Sequence, residues 1–136
     1  EQVCSHSTGH AETVRVVFDT ALASAADLVR LFFEIHDPTQ VGGQGNDIGD
    51  QYRSAIWTTT PEQLRDATAL RAAYQEVLTE RGFGPIQTVI SPAPDADSTA
   101  RFWYAEDYHQ QYLFKNPGGY ECHARTGIAC PALPRE

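Results

Sequence analysis

A chain of 136 residues, 41% hydrophobic and 21% charged, has the size and balance of one globular domain with one core. A formal net charge of −8 with scattered Lys and Arg excludes a basic face for phosphate and argues against a nucleic-acid partner. No apolar run is long enough to span a bilayer and no charged-then-apolar leader opens the chain, so no membrane role and no export signal is expected; a cytoplasmic location is the default.

In chain order, Thr13 to Asp19 alternates Val14, Val16 and Phe18 with Arg15, Val17 and Asp19, predicting a strand covered on both faces. Ser24 and Asp27 have capping-box spacing. Ala25, Leu28, Leu31, Phe32 and Ile35 then recur at helical intervals, predicting an amphipathic helix from Ser24 to about Ile35 that Asp37-Pro38 ends. Thr39 to Asp50 reads as a loop with four glycines, and Arg53 to Thr58 as a short strand. Thr60, Pro61 and Gln63 start a second helix whose apolar face (Leu64, Ala67, Leu70, Tyr74, Val77, Leu78) runs to Gly82. A strand is expected over Ile86 to Ile90, a loop over Ser91 to Thr99, and an aromatic strand end at Phe102-Trp103-Tyr104 leading into a short helix. From Asn116 onward Pro and Gly predict an irregular tail. The β-α-β-α-β order implies a single α+β or α/β sandwich without internal repeats.

Three groupings carry candidate chemistry. Cys122 and Cys130 lie eight positions apart on breaker-rich backbone, where mobility favours the in-line approach that thiol–disulfide exchange requires. A static tail disulfide, two unrelated thiols, or a metal site built from Cys122, His123, Cys130 and His109 are the alternatives, the last lacking the tight spacing of zinc motifs. His36, Asp37, Asn46, Asp47, Asp50 and Tyr52 crowd polar groups between apolar elements and suggest a lined pocket, although Asn46 and Asp47 equally suit turn hydrogen bonds. Glu12, beside His10 at the mouth of the first strand, would be a proton donor near neutral pH if partly buried, and an ordinary solvated glutamate if not.

The segments VCSHSTGHAETVRVVFD, FFEIHDPTQ, QGNDIG, QYRSAIW and FWYAEDYHQQYLFKNPGGY, followed by the two tail cysteines, occur in one order. In that order and spacing they resemble the A-type peptide methionine sulfoxide reductases over essentially the whole chain. The resemblance implies an α+β fold, a two-layer ferredoxin-like sandwich with a long irregular C-terminal tail, all in one domain over 1–136 with a mobile tail at 116–136. It implies thiol-dependent reduction of methionine-S-sulfoxide, free or in proteins, through sulfenic acid and disulfide intermediates. It implies Glu12 as the acid that protonates the sulfoxide oxygen, Tyr52 as a hydroxyl holding that oxygen, Asp47 as a support of the pocket and His109 as a neighbour of the site. Cys122 and Cys130 correspond to resolving cysteines; thioredoxin or a similar dithiol protein is the implied reductant, with no metal or organic cofactor.

One part of the family pattern is missing. The nucleophilic cysteine belongs to a Gly-Cys-Phe-Trp motif, and no such motif occurs in the chain. With no methionine either, Glu1 reads as an internal position of a longer parent, and the 136 residues alone are expected to be inactive. Cys4 is an unfavoured substitute, since a reactive thiolate needs a setting that lowers its pKa. Apolar faces such as Val14, Val16 and Phe18 are then expected to lack partners. A non-catalytic module that binds methyl sulfoxides, or a small redox or metal-binding protein using the tail thiols, are the competing readings.

Overall fold

The computed structural model describes residues 3–5, 8–93 and 102–134. Helix α1 spans Ala25–Glu34. Its start is a closed capping box: the Asp27 N–H donates to Ser24 Oγ at 3.1 Å and the Ser24 N–H to Asp27 Oδ2 at 3.0 Å. Helix α2 spans Pro61–Glu80, with Thr60 Oγ1 accepting from the Gln63 N–H at 3.2 Å and proline in the first turn. It ends in a Schellman motif, with Phe83 N–H donating to Leu78 O, Gly82 N–H donating to Thr79 O, and Gly82 at φ +84. Both helices follow the caps written in the sequence.

Strands β1 (Gly43–Gln44) and β2 (Asp47–Ile48) form an antiparallel hairpin inside the glycine loop. Gly43 is required there, because a Cβ would strike the Asp47 carbonyl oxygen and lie 2.9 Å from Ile48 Cα. Strands β3 (Ala55–Thr58) and β4 (Val89–Pro92) pair in parallel, Ala55 with Val89 through Thr58 with Pro92. A parallel pair needs a long crossover, and α2 is that crossover. It packs on both strands, and α1 packs on α2.

The core lies between the helices. Phe33 of α1 clusters with Leu70, Tyr74 and Leu78 of α2, joined by Ile86 and Cys130, and Ala67 of α2 is buried as well. Ala67, Leu70, Tyr74 and Leu78 recur at helical spacing on one stripe, which explains why α2 turns that face inward. Helix α3 is the single turn Tyr112–Lys115.

Four expectations are corrected. Residues 13–19 carry no ladder, and Val14 and Val17 are 84% and 90% exposed; instead, Arg15 lies 4.7 Å from the Phe102 ring centroid and donates to the Tyr104 hydroxyl. Neither face is covered there by a neighbouring element among the described residues, in keeping with the expected lack of partners. The strand expected at Ile86 begins only at Val89, because Ile86 N–H is taken by Gln75 Oε1 and Gln87 N–H by Pro38 O. Phe102 to Tyr104 is likewise not a strand. The loop expected over Ser91 to Thr99 is replaced at its start by β4, and its residues 94–99 lie outside the described set.

The tail has no helix or strand from 117 to 134, yet burial along it alternates. Cys122, Ala124, Thr126, Ile128 and Cys130 turn inward while Glu121, His123, Arg125, Gly127 and Ala129 face solvent. This period of two is that of extended backbone lying on a surface.

Candidate functional site

The tail meets the hairpin at a cavity of about 310 Å³. Its walls come from α1 and the residues after it (Phe32, Ile35, His36), from β1 (Gln44) and from the tail (Glu121, Cys122, Arg125). Gln40 sets the hairpin's turn by accepting from Gly45 N–H at 2.6 Å and donating to Gly45 O at 3.1 Å. Gly45 sits at φ +56, and a Cβ there would lie 2.9 Å from Cys122 Sγ. The turn is therefore glycine both for its backbone angle and because the thiol lies against it.

Cys122 is half-buried and free, and its thiol donates to Gln44 O at 3.5 Å. Two residues earlier, the Tyr120 hydroxyl donates to Asp47 Oδ2 at 3.1 Å. That bond to a carboxylate, together with partial desolvation and the nearby Cys122, raises the Tyr120 pKa above its ordinary value. Gln44 Nε2 in turn donates to Tyr52 O at 3.1 Å. Glu12 N–H donates to Gln51 O at 2.8 Å, which fixes the Glu12 backbone beside Tyr52. Four expected residues, Glu12, Tyr52, Asp47 and Cys122, are thus linked through neighbouring segments.

The others lie apart from this chain of bonds. His109 is exposed and pairs with Glu106 at 3.8 Å. Cys130 is 1% exposed among core residues, and burial pushes its thiol up to about 11. The Glu12 side chain is exposed rather than partly buried. Cys4 falls in the Val3–Ser5 turn, and its side chain lies outside the described set. Among the described residues no group of three or more His, Cys, Asp and Glu side chains could hold a metal, so Cys122, His123, Cys130 and His109 do not converge on one.

His36, expected in a pocket wall, does line the cavity; the residues that sequence reasoning passed over are Tyr120, Gln44, and the Ser54 and Thr88 hydroxyls behind His36. A hydroxyl two positions before a cysteine was the available signal for Tyr120. His36 is 4% exposed, with Nδ1 2.7 Å from Phe32 O and Nε2 2.8 Å from Ser54 Oγ; Ser54 Oγ is 2.7 Å from Thr88 Oγ1. A carbonyl only accepts, so Nδ1 carries the proton of the neutral ring and Nε2 accepts from Ser54. Desolvation by burial lowers the His36 pKa, opposed by the Phe32 bond and the charge of Asp37. The network ties the end of α1 to the starts of β3 and β4, directly beneath the cavity.

A mixed helix and sheet scaffold that presents a free thiol, a phenol and a carboxylate on one rim defines a thiol-bearing α/β protein. The peptide methionine sulfoxide reductase family model matches residues 1–133. The chain is 54% identical over 132 residues to the peptide methionine sulfoxide reductase MsrA of Azorhizobium caulinodans, covering 96% of this chain and 57% of that protein. It is 51% identical over 131 residues to the human mitochondrial peptide methionine sulfoxide reductase, covering 96% and 53%. Among solved structures, methionine sulfoxide reductase A of Corynebacterium diphtheriae superposes with a TM-score of 0.78 at 41% identity, over 98% of this chain and 64% of that one. Mxr1 of Saccharomyces cerevisiae in reduced form gives 0.76 at 35% identity, over 91% and 63%. The chain belongs to the peptide methionine sulfoxide reductase family, and it spans a little over half the length of the curated relatives it matches.

Proposed function

We propose that this chain forms the oxygen-holding and disulfide-forming part of an enzyme that reduces methionine-S-sulfoxide, free or in peptides, to methionine. The observation that carries the reading is the Tyr120–Asp47 bond beside the free Cys122, on the hairpin that also reaches Tyr52. In the reaction a cysteine thiolate attacks the sulfoxide sulfur while the oxygen is protonated. Methionine leaves and the cysteine retains the oxygen as a sulfenic acid; a second thiol displaces it as water and forms a disulfide. Two thiols are oxidised and one sulfoxide is reduced, so a dithiol protein such as thioredoxin closes the cycle.

On this reading Glu12 delivers the proton, Tyr52 holds the oxygen and Asp47 braces the pocket through Tyr120. His109 lies near the complete site, and Cys122 and Cys130 are the resolving thiols. The fold completes as a two-layer ferredoxin-like sandwich, supported by α2 packing on both β3 and β4. We place the enzyme in the cytoplasm; separately, no described helix is long and apolar enough to cross a membrane. No Gly-Cys-Phe-Trp motif occurs in the 136 residues, so on their own they do not turn over sulfoxide.

The test is to measure N-acetyl-methionine-S-sulfoxide binding by the chain, and its dithiol-dependent reduction when the chain is fused to a relative's Gly-Cys-Phe-Trp segment. Binding by the chain and reduction by the fusion are expected; neither binding nor reduction would refute the reading. Binding without reduction by the fusion would instead favour a non-catalytic methyl-sulfoxide module, the reading that the missing motif supports.

A further inference from the structure

The two tail thiols are treated differently by the fold. Cys122 is half-buried against the hairpin, at the edge of the cavity. Cys130 is enclosed between the two helices, and its own peptide groups are gripped from both sides. Its N–H donates to Glu34 Oε1 at 2.9 Å, and its C=O accepts from Arg30 Nε at 3.1 Å. Arg30 and Glu34 are four residues apart, so they stand on one face of α1. A second hold comes from α2: the Tyr74 hydroxyl donates to Ile128 O at 2.7 Å and lies 2.8 Å from Thr126 Oγ1. With its only proton committed to Ile128, the Tyr74 oxygen accepts from Thr126.

We propose that residues 126–130 form a docked strap, held by Arg30, Glu34 and Tyr74, that withholds Cys130 from thiol exchange until it is released. In the docked state Cys130 meets neither requirement for exchange, access and a thiolate. Nor is it joined to Cys122: both thiols are free, Cys122 against Gln44 of the hairpin and Cys130 in the core between α1 and α2. Cys122 is therefore the thiol that exchanges first. The strap does not rest on the proposed sulfoxide reduction.

The experiment is alkylation of the native 136-residue chain by iodoacetamide, with the rate at each cysteine read by peptide mass spectrometry. Cys122 is expected to react at least about tenfold faster than Cys130, because reaction at Cys130 proceeds through a rare open state. Arg30→Ala, Glu34→Ala and Tyr74→Phe should each speed Cys130 on the order of tenfold, the equivalent of one lost charge-assisted or buried bond, and leave Cys122 unchanged. Glu34→Gln keeps an acceptor oxygen and should speed it less. Thr60→Ala weakens α2 at a cap and serves as the control for general loosening. Equal wild-type rates, no acceleration in the three variants, or the same acceleration in Thr60→Ala would overturn the strap. The assay requires no sulfoxide turnover, so failure of the functional reading would leave its outcome untouched.

Discussion

The Tyr120 hydroxyl reaches across 73 residues of sequence to donate to Asp47 Oδ2 at 3.1 Å. The bond joins the tail to the hairpin and sets the protonation of the phenol. Replacing the carboxylate removes the first cause of the raised Tyr120 pKa. In Asp47→Asn, Tyr120 should therefore ionise closer to the ordinary value of about 10. Ultraviolet titration, with Tyr120→Phe as the blank that identifies the residue, measures the change. An unaltered titration in Asp47→Asn would mean the bond is not populated in solution.

His36 should contribute stability that depends on acid. Its folded-state pKa lies below the ordinary 6.5, so the fold favours the neutral ring. The contribution is then fully present above pH 6.5 and is lost as pH falls from there through the folded pKa. Urea unfolding at pH 7.5 and pH 5 should show wild type losing stability that His36→Phe does not. At pH 7.5 the same variant should be less stable by about 2–3 kcal/mol, since Phe32 O and Ser54 Oγ lose buried partners.

At Gly45 a methyl group would meet the Cys122 sulfur and force a positive φ on alanine. Gly45→Ala is expected to cost about 1–2 kcal/mol from the backbone angle alone. Pushed off the hairpin, Cys122 should alkylate severalfold faster while Cys130 keeps its rate. Equal protection of Cys122 in the variant would show that the thiol does not lean on this turn.

Phe33 is fully buried, with its ring centroid 5.7 Å from that of Tyr74. Phe33→Ala should destabilise the chain by about 3–5 kcal/mol, as a cavity opens between α1 and α2. Thermal or chemical unfolding gives the number, and a loss below about 1 kcal/mol would contradict the assigned core.

The helices were legible because their signals are local. Ser24 with Asp27, Thr60 with Gln63, and Gly82 after Leu78 each act over a few residues, and each cap forms where the sequence places it. Val14 to Phe18 misled for the opposite reason: alternation describes a strand's own faces but not whether another strand lies beside it. The β4 boundary was shifted by long-range claims on Ile86 and Gln87 from Gln75 and Pro38. At the candidate site, Asp47 and Tyr52 emerged from a motif-bearing loop. Tyr120 did not, since its partner is far away in sequence and its flanks are Gly119 and Glu121. The different fates of Cys122 and Cys130 were likewise beyond spacing, because burial depends on what α1 and α2 present to the tail.

The seat of the tail is made almost wholly of main-chain atoms: Cys130 N–H, Cys130 C=O and Ile128 C=O. Those three bonds do not read side chains, although the buried Cys130 thiol and Thr126 Oγ1 are held by the same dock. Cys130→Ala keeps the three main-chain bonds and puts no unpaired hydroxyl into the core, so the redox chemistry of that position can be removed while its docking stays. The same blindness lets substitutions accumulate at the outward position 129 without disturbing the grip, whereas position 127 keeps its glycine for a φ of +72. Variation is tolerated at the tail's outward side chains and constrained at its inward ones and at Arg30, Glu34 and Tyr74, which form its dock.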